Sequence, residues 1–145
     1  MSHSIYHLLG SLEGYLHDLR SATDITREKF LKDIRSRRFV ERTVHLAIES
    51  CFKIAHFIIS EEGLRSPPSC EDALTLLAEK GIIGWRSVPE YRMMAEFRDK
   101  IMKSMENADR DLAFGIFQNK LDIFERFGTE IQKFLKNRTS QGANA

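Results

Sequence analysis

A chain of 145 residues with 42% hydrophobic and 30% charged side chains is long enough to bury one core and too apolar to remain disordered. Its 22 Lys and Arg stand against 21 Asp and Glu, a net charge of +1, so no global field directs it to nucleic acid or anionic lipid. No run approaches the roughly 18 consecutive apolar residues of a membrane span, and "MSHSIYH" lacks the basic start of a leader, which makes the cytoplasm the expected location.

In chain order, Ile5, Leu8, Leu9, Leu12, Leu16 and Leu19 recur every three or four positions, the period of an amphipathic helix near residues 3–20. "SATDIT" supplies turn and capping residues before a second helix near Thr26. The longest core stripe runs from Val40 through Val44, Ile48, Cys51 and Ala55 to Ile58, and predicts the central helix. Gly63 with Pro67 and Pro68 ends it. A short helix follows from Ser69 to Lys80, and "GIIGWRS" makes an apolar turn. Pro89 suits the first turn of the next helix, and Asn107 to Asp109 can cap a last one whose stripe includes Ile116, Phe124, Phe127 and Phe134.

No strand alternation or hairpin signal is present. The expected fold is all-α, an antiparallel bundle of four long helices plus one short helix, forming a single domain over residues 1–136 with a flexible tail over 137–145.

Few side chains point to chemistry. His3 and His7 have the i, i+4 spacing of a shared metal site but no third ligand nearby, so no metal is expected. Cys51 reads as a core residue, and with Cys70 it makes no metal-type pair. His45 and His56 lie beside the central stripe, where a partly buried, hydrogen-bonded imidazole is the ordinary outcome. Residues 27–42 carry seven basic side chains, among them Arg35, Arg38 and Arg42, against three acidic ones, a local charge of +4 that can bind phosphates or simply be solvated. No glycine-rich phosphate loop and no nucleophile elbow is present, and no cofactor is implied.

In "MMAEFRDKIMKSM", residues 93–105, the methionines, Phe97 and Ile101 have core spacing, and Arg98 sits at the edge of that stripe. Arg98 can cover apolar surface with its stem while its head pairs with Asp99 or another carboxylate. It can also meet a phosphate.

The succession "RFVERTVHLAIESCFKIAHFIISEEG", "PPSCEDALTLLAEKGIIG" and "MAEFRDKIM" resembles the HepT-like branch of the HEPN superfamily over residues 4–135. The resemblance implies a helical homodimer, the toxin of a toxin–antitoxin pair, with an MntA-type nucleotidyltransferase as partner. It also implies descent from metal-independent ribonucleases built on R-x4-6-H, commonly followed by a tyrosine that the partner modifies with AMP. Arg98 matches the motif arginine. Lys103 stands where R-x4-H-x-Y puts the histidine, Met105 where it puts the tyrosine, and Asp99 replaces the usual asparagine.

That change removes the proton carrier. An imidazole takes and returns a proton near neutral pH, whereas moving an ordinary lysine from about 10.4 to about 7 costs on the order of 4–5 kcal/mol. Five residues of helix also turn through about 500°, leaving Arg98 and Lys103 about 140° apart and about 7.5 Å along the axis, so they meet one phosphate only at a helix end or across a dimer. Ribonuclease activity is therefore expected to be lost or weakened. The degenerate catalytic pair is Arg98 and Lys103, and the phosphate or RNA contacts are Arg98, Arg35, Arg38 and Arg42. The alternatives are a non-catalytic helical dimer that binds a nucleotidyltransferase or RNA, and an active ribonuclease using other residues, such as His45 or His56 brought in by folding.

Overall fold

The leucine stripe of the first segment forms α1 (Ser2–Ser21), with Ile5, Leu9, Leu12, Leu16 and Leu19 buried along one face. The structure is a computed structural model that describes residues 2–103 and 107–144, and the side chains of 4–101 and 110–138. Among the described residues it contains seven α-helices and no strand.

Thr26 caps α2 (Arg27–Lys32) by accepting a 3.1 Å hydrogen bond from the Lys29 N–H. The second helix expected near Thr26 is divided from the central one here. Asp33 is extended at φ −99°, ψ 109°, and its carboxylate accepts from the Ser36 hydroxyl at 2.6 Å. A short polar side chain that satisfies nearby donors competes with the helical ladder, and this one breaks it. Arg37 then donates to the Leu31 carbonyl at 2.9 Å, covering an end of α2 that no helix continues.

Beyond the break, α3 (Ile34–Glu61) runs 28 residues, about 42 Å. It packs against each of the other six helices. Its length and apolar content would permit a membrane span, but its apolar stripe, from Val40 to Ile59, is buried inside the bundle. Gly63 ends it at φ 65°, with Leu64 N–H donating to the Ile59 carbonyl and Gly63 N–H to Ser60. Gly81, at φ 72°, closes α4 (Cys70–Glu79) through the same pair of bonds, Ile82 to Leu77 and Gly81 to Ala78. Both are Schellman caps, which require the left-handed conformation that glycine adopts without strain.

A 3-10 turn at Trp85–Ser87 leads into α5 (Val88–Lys103). The expected last helix is also divided, into α6 (Asn107–Asn119) and α7 (Leu121–Asn144), with Lys120 between them. α7 continues through residues 137–144, where the sequence predicts a loose tail. Adding turns to an existing helix needs no new nucleus.

Glu130 on α7 clamps the start of α5. It accepts from the Gly84 N–H at 2.6 Å and from the Tyr91 hydroxyl, while the Tyr91 ring packs edge-on against Phe127 at 5.3 Å. Burial, then the hydrogen bond to Glu130 and the charge of that carboxylate, push the Tyr91 phenol well above its usual range. Because the folded-state value is raised, this contribution is complete below about pH 10 and is lost as the pH climbs past it. Replacing Tyr91→Phe should lower stability by about 1–2 kcal/mol in a urea melt at neutral pH. The same substitution should make the alkaline loss of stability shallower than in the parent.

Candidate functional site

The stripe on α5 is a core stripe as its spacing predicts, with Met93, Met94, Ala95 and Phe97 buried. Arg98 lies at the edge of that packing and turns outward to α3. Its Nε donates to Oε1 of Glu49 at 2.7 Å, so the partner is Glu49 and not Asp99. Burial works against the charge of Arg98, but the bond to Glu49, with Cys70 and Asp99 nearby, outweighs it and holds the guanidinium above its ordinary value. Cys70, at the start of α4, is pushed up by burial against the pull of Arg98. Three helices thus meet at this point.

A second group shares the same carboxylate oxygen. His45 stands one turn before Glu49 on α3, with Nε2 3.6 Å from Oε1. Side-chain exposures of 39% for His45, 27% for Glu49 and 32% for Arg98 leave the trio reachable from solvent. His56 is exposed two turns beyond Glu49 and meets no carboxylate within ion-pair distance among the described residues.

The basic segment separates into two sets. Arg27, Lys29 and Lys32 pair with Asp111, Asp24 and Glu28, and Arg37 is occupied by the carbonyls of α2. Arg35, Arg38 and Arg42 are exposed, with no ion pair among the described residues. Their spacing continues through His45 to Glu49 in steps of three and four, which aligns all five on one face of α3 over about 21 Å. At its end this row meets Arg98. The remaining sequence-predicted site residue, Lys103, ends α5 and its side chain lies outside the described residues, as do Met105 and the side chain of His3.

Tyr91, the one tyrosine in α5, offers no replacement acceptor for AMP, since it is fully buried and its hydroxyl is held by Glu130. Glu49 was not singled out by sequence reasoning, although one signal was available. It is the only acidic residue between Thr43 and Ser60, embedded in the strongest apolar stripe of the chain.

The arrangement is an open surface site. Concave surfaces lie elsewhere, one of about 420 Å³ between α1 and α7 beside Leu12, Leu16 and Phe124, another of about 460 Å³ around Trp85 and Phe134. A half-exposed arginine and an imidazole at the head of a basic row suit an extended anionic polymer better than an enclosed small molecule.

The family model described as ribonuclease HepT-like matches residues 12–131. The chain belongs to that family. Sequence comparison with curated proteins finds no match. Among solved structures the chain is similar to a tri-AMPylated Shewanella oneidensis HEPN toxin in complex with an MNT antitoxin, at 21% identity and TM-score 0.78, covering 89% of this chain and 96% of that one. It is similar to a mutant MntA toxin–antitoxin complex at 21% identity and TM-score 0.77, covering 89% and 97%. It is also similar to the cytosolic protein YutE of Bacillus subtilis at 18% identity and TM-score 0.81, covering 94% and 92%. At these identities the structures establish the all-α HEPN-like fold.

The Arg98–Glu49 pair is partly exposed, so its contribution to stability is small. Glu49→Gln should lower the unfolding free energy by no more than about 1 kcal/mol in a denaturant titration.

Proposed function

We propose that this protein is the toxin-side member of a toxin–antitoxin pair, a cytoplasmic homodimer held by an MntA-type nucleotidyltransferase. Its descent is from metal-independent ribonucleases, with cleavage through the family motif lost or strongly weakened. The observation that carries this reading is the family match across residues 12–131 combined with Lys103 at the position of the motif histidine. Arg98 remains in place on α5, and its charge is balanced by Glu49. Solved structures of similar fold that contain toxin–antitoxin complexes support the choice of partner.

The exposed row Arg35, Arg38 and Arg42 favours a second reading, in which the dimer binds RNA without cutting it. Both readings leave the usual AMP acceptor missing, because Met105 occupies that position.

Restoring the proton carrier separates loss of activity from a different fold of the site. Lys103→His should raise cleavage of single-stranded RNA over the parent by on the order of 100-fold, the usual worth of a placed general acid–base. A parent that already cleaves robustly, and stops when Lys103 is changed to Ala, would overturn the reading. For the partner, co-expression with an MntA-type nucleotidyltransferase should yield a complex that survives size-exclusion chromatography. Elution of the two proteins separately at micromolar concentration counts against the pairing.

A further inference from the structure

The row of side chains on α3 ends in an imidazole that the family motif does not contain. His45 and Arg98 reach the same oxygen of Glu49, at 3.6 and 2.7 Å, so their nitrogens lie within a span that one phosphodiester group can bridge through hydrogen bonds of ordinary length. We propose that His45 has taken over the proton-carrying role at this site, acting with Arg98 on single-stranded RNA whose backbone lies along Arg35, Arg38 and Arg42. This rests on the ribonuclease descent proposed above and deepens it, since it names the residue through which a weakened activity persists.

The chemistry closes on groups that are present. The RNA 2′-oxygen attacks the adjacent phosphorus while its proton passes to the His45 imidazole, and the bond from phosphorus to the 5′-oxygen breaks. The imidazolium then returns the proton to that 5′-oxygen. The products are a 2′,3′-cyclic phosphate and a 5′-hydroxyl, and no water, metal or oxidant is consumed. Arg98 carries five N–H donors and directs its Nε at Glu49, while the fixed positive charge stands beside the phosphate oxygens where negative charge develops. Glu49 orients Arg98 through its hydrogen bond, and its carboxylate stands beside the His45 imidazole at 3.6 Å, where it favours the imidazolium that forms.

The position of His45 explains why sequence spacing hides it. The family spacing places arginine and histidine on one helix, where Lys103 is about 140° away from Arg98. Here the imidazole comes from α3 and shares the Glu49 carboxylate oxygen with Arg98, which reaches it across the helix–helix contact. Its row also solves the problem of delivery. Three exposed arginines on the same face, without an ion pair among the described residues, lead to it, and they supply the backbone attraction that a net charge of +1 does not.

The test is cleavage of a labelled single-stranded RNA by the full-length protein in the presence of EDTA, with product ends analysed for cyclic phosphate. Slow cleavage is expected, unchanged in His56→Ala and at least about 100-fold slower in His45→Ala. Added imidazole should recover part of the rate in His45→Ala and leave the parent unchanged, a response that a purely structural role would not give. The double substitution Arg38→Ala with Arg42→Ala should weaken RNA binding and reduce its salt dependence. Circular dichroism melts establish that each variant is folded. His45→Ala cleaving at the parental rate overturns the proposal. Absence of cleavage in the parent also overturns it, while leaving intact the reading of lost activity. Cleavage that survives in His45→Ala and vanishes in Lys103→Ala overturns both.

Discussion

All the other helices lean on α3, and the burial of its apolar stripe is the interaction on which the remainder depends. Val40, Val44, Ala47, Ile48, Cys51, Ile54 and Ala55 are excluded from solvent along that stripe. Fully burying a single Val or Ile side chain is worth about 1.5–3 kcal/mol, and no other helix concentrates so many. The opposite consequence follows from the same geometry. A helix that commits one face to the core presents a second face outward, and Arg35, Arg38, Arg42, His45 and Glu49 share it.

That division explains how a candidate site can lie outside any cleft. Glu49 stands at the boundary between the two faces, near enough to α5 to receive Arg98 and near enough to solvent to hold His45. Charges placed this way escape the full desolvation cost of a buried pair, yet they are screened less than charges on an open surface. The core and the site are therefore products of one helix.

The core was largely legible before folding, because a period of 3.6 is written locally. The leucines of α1 and the stripe of α3 could be counted directly, and Gly63 and Gly81 announce caps that depend only on nearby backbone. The breaks at Asp33 and Lys120 were not visible, since apolar periodicity continues on either side of them and the competing Ser36–Asp33 bond is a single local contact. Arg98 was singled out by resemblance. Its partner was not, because Glu49 lies 49 positions away and only the docking of α5 on α3 brings them together. The same holds for His45, whose meaning depends on what stands opposite it.

The Glu130 clamp has a rotational consequence for that docking. Tyr91 and Arg98 are seven residues apart on α5, so their azimuths about the helix axis differ by only about 20°. A helix is torsionally stiff over two turns because every backbone group is tied to the next turn. Anchoring the Tyr91 hydroxyl to α7 therefore indexes the direction of Arg98 as a keyway indexes a shaft, and α7, which makes no hydrogen bond or ion pair to the trio among the described residues, sets the angle at which its guanidinium faces α3.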